Sequence, residues 1–285
     1  MEDATATKIL NTLTEQRVAP FKAHFGTSQD ALVAYEWSLS LGQALLKPIG
    51  IVEVSVRNAV DCSLSAWWHE QGREGTWIDT CDSGMPIPFL DPFVHAAEWR
   101  RRAKSNKRDR EVTVTHDDVI AHTSLGTWRN MIGNPAAIPF ESPSDPQRRS
   151  SWQATRRQDA LCAELWNRVL KNAFLYIPKT KRLRLGMSPR AYIGARLTRT
   201  SQLRNRICHW DNLLCVDIEA RYDDLKRLAG AIDPDIGAWL CSQCDEEVKK
   251  LIEQKPIPSA HPEAKDTSAR DNKSTRPLEN HQPHD

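Results

Sequence analysis

Alternating polar and apolar runs, the pattern of half-buried strands, are scarce in this sequence. Apolar residues recur three or four positions apart instead, which argues against a sheet-based fold and predicts an all-α chain. Net charge is lacking too: 39 Lys and Arg against 37 Asp and Glu leave +2 over 285 residues. So even a balance gives no bulk electrostatic case for nucleic acid or a membrane surface. With no apolar run of membrane-spanning length and no secretory signal, a cytoplasmic chain without a membrane partner is expected. The seven cysteines, at positions 62, 81, 162, 208, 215, 241 and 244, are odd in number and scattered, as suits a reducing compartment. Cys241 and Cys244 have CxxC spacing, but without a second pair or a His at finger-like distance a four-ligand zinc site has no support. There is no glycine-rich phosphate loop, no HExxH and no Ser or Cys triad context, so neither a cofactor nor a metal is expected. No internal repeat is visible.

What is present is a series of amphipathic helices. One is expected from about Thr5 to Gln16, closed by Pro20. Thr27 or Ser28 would cap a second, carrying Leu32, Tyr35, Leu39 and Leu46. Pro48 would open a third, Ile49 to about His69, with Ile49, Val52, Val56, Val60 and Leu64 on one stripe. A Gly- and Pro-rich loop over 72–92 and a basic helix over 93–107 follow. Thr115 would cap a helix running to about Met131, with Asp117 and Asp118 in its first turn. After a Pro-rich connection over 134–150, helices are expected at about 151–172, 188–208, 216–228 and 234–253. Beyond Lys255 the chain is too poor in apolar residues to offset its ordering entropy and reads as a disordered tail. The expected organisation is an N-terminal helical segment (1–27), a main helical domain (28–253) and the tail (254–285). Ten Trp, from Trp37 to Trp239, supply bulk for a helical core with polar edges.

The most informative stretch is Leu203-Arg-Asn-Arg-Ile-Cys-His-Trp-Asp-Asn-Leu-Leu, at the end of a helix capped by Ser188 and opened by Pro189. Ile193, Leu197, Leu203 and Ile207 are expected to make its apolar stripe. Arg204, Asn205 and His209 are expected to project from the other side, Asn205 and His209 about 40° apart. Cleavage of RNA by its own 2′-hydroxyl needs a base, an acid and a cation for the charge building on phosphate, and no metal is obligatory. Histidine is the side-chain type suited to either proton role near neutrality, which makes His209 the candidate acid or base, and Arg204 offers a fork of donors for two phosphate oxygens. Asn205 would orient the imidazole or hold a backbone group near it. Nine Lys or Arg and no Asp or Glu lie between Lys179 and Arg206, and Arg182, Arg184, Arg190, Arg196 and Arg199 would either line a polyanion or form a solvated basic face. Glu53 and Arg57, four apart, would either brace their helix or line the same cleft as the motif, and Asn58 has the same standing.

Arg204-Asn-Arg-Ile-Cys-His209 resembles the Arg-x4-His motif of HEPN domains, including Asn directly after Arg. Asp211-Asn-Leu-Leu, Tyr222-Asp-Asp-Leu, Ile232-Asp-Pro-Asp-Ile-Gly-Ala-Trp-Leu, Tyr35-Glu-Trp-Ser-Leu, Ile51-Val-Glu-Val-Ser-Val-Arg-Asn-Ala and His122-Thr-Ser-Leu-Gly-Thr-Trp-Arg are similar to segments of Abi-like (abortive infection) proteins, in patches over roughly 28–250. The resemblance implies a HEPN-like helical bundle with added N-terminal helices. It also implies Arg204 and His209 as a ribonuclease pair, a homodimer with a composite cleft, an RNA substrate, and an antitoxin as a further partner. The substrate side would include Glu53, Arg57, Asn58, Arg206 and Trp210. Many relatives carry a second His where this chain has Trp210, a residue able to stack on a base but not to move protons. A non-catalytic HEPN-type module binding RNA or a partner, or a helical scaffold, stays open at this point.

Overall fold

The computed structural model describes residues 2–78, 93–98, 114–179 and 186–258, with Phe89, Asp91 and Leu183 as single positions between them. Among these residues every regular element is helical, as the sequence patterning predicts. In chain order the helices are α1 (Asp3–Asn11), α2 (Glu15–His24), α3 (Ser28–Glu70), α4 (His116–Ala121), α5 (Leu125–Ile132), α6 (Pro146–Arg168), α7 (Pro189–Cys208), α8 (Ile218–Ile232) and α9 (Pro234–Glu253). Short 3-10 turns occur at Pro135–Ala137 and Leu170–Ala173. The basic stretch 99–113, Arg182, Arg184 and the tail from 259 lie outside the described residues, as does most of the expected 72–92 loop.

The chain divides into two compact units, one of residues 2–36 with 256–258 and one of residues 37–255, so the division falls inside α3 rather than at its start. In the smaller unit Ala6, Leu10, Val18, Phe21 and Phe25 are buried, and Phe21 meets the Tyr35 ring edge-on at 5.4 Å. Thr27 caps α3 as expected: its hydroxyl accepts from Asp30 N–H at 3.1 Å and donates to the Asp30 carboxylate at 2.8 Å. The single helix expected to end at Pro20 is two. Thr12 ends α1, its hydroxyl donating to the Ile9 carbonyl at 2.6 Å, Thr14 is extended, and Pro20 lies inside α2.

Pro48 opens no helix; α3 runs unbroken for 43 residues through it. A mid-helix proline costs about 3 kcal/mol. Trp37, Leu41, Leu45, Ile49, Val52, Val56, Val60 and Leu64 are all buried at spacings of three or four, so breaking at Pro48 would forfeit a stripe continuous on both sides of it. α9 runs antiparallel to this part of α3: Trp37 Nε1–H donates to the Leu251 carbonyl at 2.7 Å and Lys47 to the Gln243 carbonyl at 3.0 Å. By length and composition α3 is apolar enough to cross a membrane, contrary to the sequence reading, although 44% of that window is buried within the fold.

The helix expected from Thr115 to Met131 is also two. Thr115 and Asp118 form the capping box of α4, after which Thr123 folds inward, its hydroxyl donating to the Ile120 carbonyl at 2.7 Å, and α5 restarts at Leu125. α6 begins at Pro146 rather than Ser151, because Asp145 accepts from Arg148 N–H at 2.8 Å and Pro146 suits the first helical position.

Candidate active site

α7 carries the motif, and its placement is fixed before the motif is reached. Ser188 caps it, accepting from Ala191 N–H at 3.1 Å, with Pro189 in the first turn. At Gly194 the helix crosses the end of α5 so closely that a Cβ would stand 2.0 Å from the Gly133 carbonyl oxygen, and Gly133 itself has φ +72°. Of the basic residues upstream of the motif, Arg190, Arg196 and Arg199 are engaged with groups of the fold. Arg190 is buried in a two-pronged pair with Asp159 at 2.8 and 3.0 Å and also donates to the Ile132 carbonyl at the end of α5. Arg199 grips Asp224 of α8 at 2.6 and 2.7 Å. Arg196 is buried with its guanidinium carbon 3.4 Å from the Tyr192 ring centroid and its Nε 3.5 Å from the same carboxylate, while Arg221 approaches it at 3.9 Å. Desolvation holds Arg196 below the usual arginine range, whereas the hydrogen bonds Arg199 donates to Asp224 push Arg199 up.

The end of α7 is shaped by a left-handed turn. His209 is the C-cap, with φ −91° and ψ 3°, and Trp210 follows at φ +57°. Trp210 N–H bonds the Ile207 carbonyl at 3.0 Å and Asp211 N–H the Arg206 carbonyl at 2.9 Å, the paired bonds of a Schellman ending. Glycine is the usual residue at this position; a Trp there stores on the order of 1–3 kcal/mol of backbone strain. Trp210 is nonetheless 50% exposed. The turn is held to α3, where Leu213 N–H donates to the Ser38 hydroxyl at 3.1 Å and Ile207 packs against Gly42. Arg206 donates to the Asn212 carbonyl at 3.1 Å, so part of its guanidinium closes this turn.

Asn205 and His209 are exposed, as expected from their shared side of the helix. Arg204 departs from the expectation that it faces away from the apolar stripe. It is about 20° around the helix from Leu197 and about 40° from Thr200, both fully buried, which makes it half-buried. It stands about 140° from His209 around the axis, at 100° per residue. Neither the Arg204 nor the Asn205 side chain has a hydrogen-bond or ionic partner among the described residues.

Glu53 and Arg57 each bind a backbone group of the α4–α5 turn. Glu53 Oε1 accepts from Leu125 N–H at 3.1 Å, at the start of α5, and Arg57 donates to the Ala121 carbonyl at 3.2 Å, at the end of α4. An acid at a helix N-terminus and a base at a C-terminus each oppose the local dipole, so this pair clamps the α4–α5 turn against α3. Asn58 is exposed one residue on.

Two features gave no signal in local spacing. One is the Asp224 cluster. The other is a cleft of about 500 Å³ between α5 and α6, lined by Arg129, Asn130 and Asn134 among others. Arg129 reaches α7, its guanidinium 3.5 Å from the Ser201 hydroxyl, one turn before Arg204. Among the described residues no group of three His, Cys, Asp or Glu side chains is placed to hold a metal. Cys244 is buried and Cys241 half-buried, and burial raises both thiols above their ordinary pKa.

No protein-family model, curated protein or solved structure matches this chain. Its site is therefore read from its own chemistry.

Proposed function

We propose that this protein is a metal-independent endoribonuclease of the HEPN, Abi-like kind, acting in the cytoplasm in phage defence or as a toxin restrained by an antitoxin. The observation that carries this reading is Arg204: a half-buried arginine without an acceptor among the described residues, next to exposed Asn205 and five residues before His209, which caps the end of the helix. A guanidinium that no carboxylate of its own chain satisfies keeps its fork of donors open to a phosphate.

In the proposed reaction a ribose 2′-hydroxyl loses its proton to a base and attacks the adjacent phosphorus. The bond from phosphorus to the 5′-oxygen breaks, and that oxygen takes a proton from an acid. The products are a 2′,3′-cyclic phosphate and a 5′-hydroxyl. His209 fills one proton role, Arg204 neutralises the charge on the non-bridging oxygens, and Asn205 orients the imidazole or the strand. Trp210, held half-exposed beside them, offers a face for a base. Because Arg204 and His209 diverge around one helix, the pair acting on a given phosphate comes from two copies, so the working form is a homodimer.

The same divergence favours a second reading, in which one chain only binds RNA or a partner through Arg204 and cuts nothing. Incubation of purified protein with cellular RNA and defined oligoribonucleotides in EDTA separates the two. Cleavage leaving cyclic phosphate ends, blocked by a 2′-deoxy substitution at the cut site, is expected. Intact RNA of every class, at protein concentrations that bind it, would leave only the binding module.

A further inference from the structure

We infer that the cleft between α5 and α6 is a binding site for one nucleotide unit, separate from the Arg204 and His209 positions. At about 500 Å³ it has the volume of small-molecule sites in general. Its lining combines three kinds of group. Met131 and Ile138 give an apolar wall. Asn134 and Gln158 give two carboxamides, each carrying a donor and an acceptor, and Asn130, its oxygen held by Arg129, gives an amide donor. Arg129 gives a cation, while the carboxylate of Asp159, also in the lining, is already neutralised by Arg190. A planar ring with a mixed donor and acceptor edge, joined to an anion, satisfies all three, and that is the chemistry of a nucleobase with its phosphate.

Asn134 is the most telling member. Its Oδ1 is buried and has no hydrogen-bond partner, a condition costing on the order of 1–3 kcal/mol. Rotation of this amide would turn the oxygen toward a ligand N–H and relieve the cost on binding. Arg129 is already oriented, two of its nitrogens donating to Asn130 Oδ1 at 3.2 and 2.9 Å and a third lying 3.5 Å from the Ser201 hydroxyl. Ser201 is one turn of α7 from Arg204, so a strand held at Arg129 starts close to the motif. The nucleotide unit is either free or part of single-stranded RNA; only the second source rests on the ribonuclease reading, as a subsite choosing the base beside the cut.

The test is calorimetric titration of the full chain, in EDTA, with AMP, GMP, CMP and UMP and with a 2′-O-methyl hexaribonucleotide that cannot be cut by its own 2′-hydroxyl. Two variants accompany wild type: Thr155→Trp, which fills the cleft from an exposed position on α6, and Arg129→Gln, with thermal melts to verify folding. Saturable binding weakened about tenfold or more in both folded variants is expected, the loss of roughly one strong contact. Tighter binding of a mononucleotide assigns a free-nucleotide site, and tighter binding of the hexamer assigns an RNA subsite. No saturable binding of any probe at millimolar concentration, or binding undiminished by Thr155→Trp, overturns the inference. If RNA is still cut while the cleft binds nothing, the subsite falls and the ribonuclease stands. If nucleotide binding is lost in Thr155→Trp but no RNA is ever cut, the reverse holds.

Discussion

Replacing Asp224 by Asn separates the arginines that build α7 from the one proposed to work on RNA. The Asp224 carboxylate is 5% exposed and faces three guanidiniums, accepting from Arg199 at 2.6 and 2.7 Å with Arg196 at 3.5 Å and Arg221 at 3.9 Å. Asp224→Asn keeps the volume but leaves those cations without an anion in a desolvated place. Breaking a buried pair by removing one partner costs about 3–5 kcal/mol, and since Arg199 is partly solvated the low end, about 3 kcal/mol, applies. For a unit of this size that is a fall in melting temperature of roughly 6–12 °C. The assay is thermal and urea unfolding followed by circular dichroism, with Arg204→Ala beside it. Arg204 has no partner to lose among the described residues, so its variant stays within about 0.5 kcal/mol of wild type. A loss under about 1 kcal/mol for Asp224→Asn would refute the claim that this carboxylate organises the α7–α8 interface.

Other consequences follow from the same structure. Gly194→Ala forces a methyl group into the Gly133 carbonyl and should destabilise by about 3 kcal/mol or more in urea, and an unchanged midpoint would contradict the close crossing. Glu53→Ala and Arg57→Ala each remove a charged contact at a helix end, costing about 1 kcal/mol, while RNA cleavage below the melting range persists. Loss of cleavage without loss of stability would instead put those residues in the cleft. Trp210→Ala should weaken RNA affinity by about 1–3 kcal/mol in a binding titration, the contribution of one stacked base. Burial raises the Cys162 thiol to about 11, so iodoacetamide at pH 8 should label exposed Cys62, Cys208 and Cys215 well before Cys162, as read by mass spectrometry. Equal rates would contradict its burial.

The ends of α7 and α9 were readable from sequence because Ser188-Pro189 and Asp233-Pro234 place a capping side chain directly before a proline suited to the first turn. Pro48 misled because its local cost is outweighed by a buried stripe continuous on both sides. The break between α4 and α5 depends on Glu53 and Arg57, more than 60 residues away, and no local pattern announces it. The fates of Arg190 and Arg199 were hidden for the same reason, their acids lying 31 and 25 residues distant. Arg204 is a different case. Its spacing of seven from Leu197 places it beside the apolar stripe, and grouping it with Asn205 and His209 overlooks the 140° between Arg204 and His209. The candidate trio was legible as residues, and the divergence of Arg204 from His209 follows from their spacing of five on a helix that runs to Cys208.

Single-turnover cleavage of RNA in EDTA by wild type, Arg204→Ala and His209→Ala, each verified as folded, tests the central claim most directly. Wild type should cut, and each variant should lose cleavage by at least about a hundredfold, the scale of a lost acid, base or charge-stabilising donor. Mixing the two inactive variants should restore part of the activity if one copy supplies Arg204 and the other His209. Full activity in either variant would contradict the account.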